Sequence, residues 1–250
     1  MRNRLPDLVL LPGMDGTGRL FQDYVGHLLQ SEPTLKVHVI DYPPDRILGY
    51  QELKDLIKRR LPQDSDFFLL GESFSGPLAI ELAGDFAIEH PQHLQGLILC
   101  ATFHKNPQAL LAPFSGLTRL FAPQHIPRAL INWMMFDSHA KPSHQEALYR
   151  SLELVDEKVM QHRCREVLQV NVTDKLSAIT CPVLYLQAQS DRLIPAHHGR
   201  AIQKLIPQTQ LIRFTSGHML LQTQAKLASD ATLAFMRQSV KPSSASINSN

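Results

Sequence analysis

Short apolar runs set off by turn residues recur along the chain: Leu8-Val9-Leu10-Leu11, Val37-His38-Val39-Ile40, Phe67-Phe68-Leu69-Leu70, Leu97-Ile98-Leu99-Cys100, Val183-Leu184-Tyr185-Leu186 and Leu211-Ile212-Arg213-Phe214. Runs this short, apolar at successive positions, predict strands buried on both faces, as parallel strands are when helices cover them above and below. Between the first four runs the period changes. Leu53, Leu56, Ile57 and Leu61 recur at helical spacing, as do Leu78, Leu82 and Ala83 after Pro77. A first helical turn tolerates that proline because its N–H would have no partner there. Strand alternating with helix predicts an α/β fold: a mostly parallel sheet of about six strands, helices on both faces, right-handed crossovers.

The alternation stops between Ala101 and Cys181. That segment carries amphipathic pieces at Ala109 to Phe121, Pro127 to Phe136, Ser143 to Leu154 and Glu157 to Val170, without clusters of turn residues. A structureless loop of that length is rare inside a compact domain, so residues 101–181 are expected to form an inserted helical cap. Residues 1–100 and 182–240 then make the core. The Ser-rich end, residues 241–250, is expected to be a disordered tail.

Composition narrows the classes. Charged residues make up 19% of the 250, hydrophobic residues 44%, and the net charge is +2. A disordered chain would be more charged and less apolar, and a nucleic-acid binder would tip much further toward basic. Three cysteines, Cys100, Cys164 and Cys181, show no C-x-x-C spacing, so neither a disulfide framework nor a zinc site is expected. The start has no apolar stretch before a cleavage site, and no apolar run approaches the ~18 residues of a membrane span. A cytoplasmic protein with no membrane span is the expectation.

Chemistry concentrates at strand ends. The third run leads into Gly71-Glu72-Ser73-Phe74-Ser75-Gly76 and then directly into a helix, the context of a nucleophile elbow, G-x-S-x-G. The string alone means little; its place between a buried strand and a helix carries the reading. Ser75 stands where the pattern has glycine. A serine hydroxyl needs a base, and the expected chain order is Ser, then Asp or Glu, then His. Asp191 is the one carboxylate in the loop after the fifth strand, and His218 follows the last. Parallel strands bring their carboxyl ends to one edge, so Ser73, Asp191 and His218 are expected to converge. His197 and His198 read as surface residues at a helix start.

Leu11-Pro12-Gly13-Met14-Asp15-Gly16-Thr17-Gly18 follows the first strand. Arg19-Leu20 stand where a P-loop needs Lys and Ser/Thr, and Phe21 stands where a dinucleotide fingerprint needs its third glycine. The remaining reading is an oxyanion loop, with the Met14 and Phe74 amides as donors.

Together these residues resemble the α/β-hydrolase family: Pro-Gly-Met after the first strand, Gly-Glu-Ser-Phe-Ser-Gly at the elbow, Ser-Asp-Arg-Leu-Ile-Pro after the fifth strand and Ser-Gly-His after the sixth. The layout is similar to small carboxylesterases and thioesterases of the pimeloyl-carrier-protein methyl esterase type, although Pro12-Gly13 replaces the usual His-Gly. Against that family the chain opens on the equivalent of its third strand. The resemblance implies a serine hydrolase without metal or organic cofactor, acting on a small acyl ester or thioester through an acyl-enzyme.

The apolar cap sequence, including Leu110, Leu111, Phe114, Leu117, Phe121, Ile131 and Met135, favours an apolar acyl group, with Trp133, Met134 and Phe136 as candidate substrate-binding residues. Lys54, Lys58, Arg59 and Arg60 form a basic cluster. It reads as a solvated helix face, with an acidic acyl carrier protein as the alternative occupant. An acyltransferase, a cofactor-free peroxidase or C–C hydrolase, and a non-catalytic ligand receptor remain as alternatives on the same scaffold.

Overall fold

The computed structural model describes residues 4–90, 92–107 and 123–240. Six strands, β1 (Asp7–Leu11), β2 (Val37–Val39), β3 (Phe67–Glu72), β4 (Leu94–Cys100), β5 (Val183–Ala188) and β6 (Gln210–Phe214), form one sheet in the order β2-β1-β3-β4-β5-β6. Every neighbouring pair is parallel. All six apolar runs form strands, but two-sided burial holds only for β1, β3, β4 and β5, whose successive side chains enter opposite cores; β2 and β6 are the edges of the sheet and are largely exposed. Val9, Leu11, Leu69, Leu97, Leu99 and Tyr185 enter one core, while Leu8, Leu10, Leu70, Ile98, Leu184 and Leu186 enter a second core on the opposite face.

Helices cover both faces. The first core is closed by α2 (Tyr50–Arg60) and α3 (Gly76–Glu89), with Ile202 of α7 (His197–Leu205) beside them. Over the second lie α1 (Gln22–Ser31), the short α8 (Leu220–Thr223) and α9 (Ala225–Ser239). Leu53 and Ile57, or Leu78 and Leu82, are the inward stripes that the helical spacing indicated.

Between β4 and β5 lie α4 (Arg128–Met135), α5 (Pro142–Glu153) and α6 (Glu157–Gln169). They match three of the four amphipathic pieces to within a residue or two. The fourth, Ala109 to Phe121, and the tail from 241 onward lie outside the described residues. The strand order places β2 on one side of β1 and β3 on the other, which opens a crevice at the carboxyl ends of β1 and β3. Leu11 pairs with Gly71 at that edge, so the loop after β1 and the turn after β3 are neighbours by register.

Candidate active site

Ser73 sits at the junction of β3 and α3 with φ of +48°, a left-handed backbone that costs a non-glycine residue free energy. The surroundings hold it there. Its carbonyl accepts the Gly76 N–H and the Thr102 hydroxyl. The strand and helix approach so closely that a Cβ on Gly76 would fall 1.8 Å from Thr102 Oγ1, and one on Gly71 2.7 Å from Ala79 Cβ. Small residues at 71 and 76 are therefore steric requirements of the turn.

Ser73 Oγ lies 2.8 Å from His218 Nε2, and His218 Nδ1 lies 2.8 Å from Asp191 Oδ2. The other carboxylate oxygen, Oδ1, accepts the N–H groups of Leu193 and Ile194, each at 2.8 Å. Burial opposes a charge on His218, but the Asp191 carboxylate, by charge and by hydrogen bond, outweighs it with help from Glu72. The imidazole is held above its ordinary range. Glu72 is itself buried, and that desolvation pushes its carboxyl up to about 7 against the pull of the Gln222 amide, His218 and the Gly13 N–H; Asp15 adds to the rise. Gln222 Nε2 donates to Glu72 at 3.0 Å.

The loop after β1 abuts this row: a Cβ on Gly13 would stand 3.9 Å from Ser73 Cβ. Gly16 N–H donates to the Gly13 carbonyl at 3.0 Å. In a trans peptide the following N–H points away from the carbonyl, so this turn directs the Met14 amide outward. The same logic applies across the crevice. With the Ser73 carbonyl turned to Thr102 and Gly76, the Phe74 amide faces the opposite way. Phe74's ring packs against Tyr50, with centroids 4.7 Å apart, and its carbonyl takes the Tyr50 hydroxyl at 3.0 Å.

Ser75, the departure from the elbow pattern, ties the two loops together. Its buried hydroxyl donates to the Pro12 carbonyl. That uses its one proton, so the Tyr42 hydroxyl, at 2.6 Å, donates to Ser75.

A cavity of about 280 Å³ opens over Ser73 and His218. Its walls are largely apolar, with Leu20, Ile126, Ile131, Met134, Met135, Leu148, Leu152 and Met160 among them. Of the three cap residues assigned to substrate from sequence, only Met134 lines it. Trp133 is 59% exposed and covers Arg192, whose guanidinium carbon lies 4.9 Å from the ring centroid. Adjacent residues on α4 face different directions, and the indole is on the outer one. Phe136 is buried behind the wall: it packs with Ile131, Leu148 and Met219, which line the cavity, but does not line it itself. His198 is a second correction. It is 1% exposed and packs against His104, and burial lowers its pKa to about 4. His197 stays at the surface.

Three of the four basic residues on α2 are ion-paired, and Arg59 is exposed with no ion pair among the described residues. Lys54 contacts Glu81 and Asp85, Lys58 contacts Glu89, and Arg60 contacts Asp41. Among the described residues no group of three or more His, Cys, Asp or Glu side chains is arranged to hold a metal ion, and no helix is long and apolar enough to cross a membrane. Glu72 and Asp15 also line the cavity, unassigned from sequence although each lies inside a motif, beside Ser73 and Met14 respectively.

Comparison with known proteins places the chain in a family and a fold. The pattern of the serine aminopeptidase S33 family matches residues 34–221. A pimeloyl-[acyl-carrier protein] methyl ester esterase of Vibrio vulnificus (strain YJ016) is 24% identical, over 92% of this chain and 94% of that protein. A proline iminopeptidase of Thermoplasma volcanium is 23% identical, over 78% of this chain and 70% of that protein. Among solved structures, the enol-lactonase from Burkholderia xenovorans LB400 superposes with a TM-score of 0.78 at 15% identity, covering 95% of this chain and 94% of that one.

Proposed function

The chain belongs to the serine aminopeptidase S33 family of α/β-hydrolases, and from that premise we propose that it hydrolyses carboxylic esters or thioesters with an apolar acyl group, using Ser73, His218 and Asp191. The observation that carries this reading is the hydrogen-bonded row Asp191–His218–Ser73 beneath the apolar cavity.

In this reading Ser73 Oγ attacks the acyl carbonyl while His218 Nε2 takes its proton. Asp191 keeps the Nδ1–H tautomer oriented and stabilises the imidazolium. The Met14 and Phe74 amides donate to the developing oxyanion, where one donor is typically worth ~2.7–4 kcal/mol. His218 then returns the proton to the departing alcohol or thiol. Water, deprotonated by the same imidazole, releases the acid from the acyl-enzyme and restores Ser73.

The apolar walls favour an uncharged acyl chain. Ionised Glu72 would repel a carboxylate placed beside it. The curated Vibrio relative is named for an ester carried on an acyl carrier protein. Here three of the four cations of the α2 cluster are engaged by carboxylates outside it, which leaves little free charge to dock such a carrier, and a small-molecule ester is the substrate favoured.

The test is a panel of p-nitrophenyl esters and acyl-thioesters of graded chain length, assayed with wild-type protein and with Ser73→Ala. Hydrolysis by the wild type alone is expected, with kcat/KM passing through a maximum as the chain fills the cavity. Equal turnover by both proteins would contradict the reading. Product analysis with added alcohol separates hydrolysis from acyl transfer.

A further inference from the structure

Arg163 projects from α6 into the core and is 1% exposed. Among the described residues it donates to three backbone carbonyls: Met14 and Asp15, each 2.9 Å from Nη1, and Pro43, 3.1 Å from Nη2. The guanidinium carbon also lies 5.7 Å from the Tyr42 ring centroid. A buried cation is retained at a cost unless its donors are satisfied. Here a planar fork meets carbonyls from two irregular loops that have no strand or helix to pair them.

The consequence falls on Met14. The peptide plane before it is fixed by Gly16 N–H on the Gly13 carbonyl, and the plane after it by Arg163 on the Met14 carbonyl. Both planes that flank the Met14 α-carbon are therefore held, and with them the direction of its amide. The guanidinium lies directly against Gly16, whose φ is +71° and where a Cβ would come 2.7 Å from Nη1. The next residue, Cys164, contacts the Met14 thioether, Sγ to Sδ 3.5 Å. From α5, Ser151 Oγ donates to the Asp15 carboxylate at 2.7 Å. The β4–β5 insertion thus grips the loop by backbone and side chain together.

We propose that Arg163 is a positioning residue that sets the Met14 amide of the oxyanion loop, so that seating of the helical insertion and stabilisation of the transition state are coupled. The inference rests on the hydrolase reading above. It goes beyond it by giving the insertion a part in the chemical step as well as in walling the cavity.

The test is Arg163→Lys, which keeps the charge and loses the fork. A loop amide displaced by a fraction of an ångström weakens transition-state contacts more than ground-state ones. We expect kcat to fall roughly 10- to 100-fold with KM within about threefold, and affinity for a trifluoromethyl ketone analogue to fall by the same factor as kcat. A kcat within about twofold of wild type, or a rise in KM with unchanged analogue affinity, overturns the proposal. If the lysine variant does not fold, Arg163→Ala refolded with methylguanidinium gives the same reading. Dilution of the cation should lower kcat before KM moves, whereas parallel loss of both overturns the proposal. All variants are judged against a wild type whose Ser73 reacts with a fluorophosphonate. An unreactive wild type would instead count against the hydrolase reading itself.

Discussion

His218 Nε2 lies 2.8 Å from Ser73 Oγ across 145 residues of sequence, and the contact joins a loop after β6 to the strained turn after β3. Neither loop could hold the other at that distance without the intervening strands. In the proposed mechanism Ser73→Ala removes the nucleophile, and it should lower kcat by on the order of 10⁴- to 10⁶-fold, with the fold and melting temperature retained. Steady-state kinetics on a purified ester, with thermal unfolding as the control, checks it.

Activity should depend on pH through His218. In the proposed mechanism the neutral imidazole is the base, and Asp191 holds its pKa above the ordinary 6.5. Hydrolysis is therefore expected to fall as pH drops through a value above 6.5. In Asp191→Asn the charge that opposes desolvation is gone, so that value should move below wild type while kcat falls by roughly 10⁴-fold. A pH–rate profile in which the midpoint stays put would contradict the pairing.

Glu72 makes a stability prediction with a definite sign. Burial raises its carboxyl from 4.5 to about 7, so the folded state holds the proton more tightly than the unfolded chain does. That contribution is present in full below pH 4.5 and is lost as pH rises through about 7. Glu72→Gln has no such titration. Its stability relative to wild type should grow across this window by an amount of order 3 kcal/mol. Denaturant midpoints of both proteins at several pH values check this; a constant difference would contradict it.

Ser75 should matter more than its place in a tolerant motif implies. Ser75→Ala leaves the Pro12 carbonyl and the Tyr42 hydroxyl without their partner in a buried site. The expected loss is about 1–3 kcal/mol. In Tyr42→Phe the alanine substitution should cost less, because one of the stranded groups is already gone. A double-mutant cycle measures that coupling, and strict additivity would contradict the shared network.

The inner sheet was legible because burial on both faces writes a continuous apolar run into β1, β3, β4 and β5, while the edge strands β2 and β6 are largely exposed and show only short runs. The Ser73, Asp191 and His218 loops were legible because chain order and strand ends constrain them. The departures have one physical origin: which way a side chain faces depends on what lies opposite it. On α4, Met134 lines the cavity and its neighbour Trp133 covers Arg192 at the surface. Periodicity identifies an apolar stripe but not the wall that a given position meets. Arg163 reads as an ordinary charge on an amphipathic helix. Its burial depends on carbonyls of Met14, Asp15 and Pro43, more than a hundred residues distant. His198 likewise is buried by His104, a residue of another loop.

The central claim is that Ser73 is a nucleophile activated by His218. The most direct measurement is mass spectrometry of folded wild-type protein after incubation with a fluorophosphonate, alongside a heat-unfolded control. The account predicts one adduct on the peptide containing Ser73, absent from the control and greatly slowed in His218→Ala. Folded protein that hydrolyses esters while Ser73 remains unmodified would contradict it.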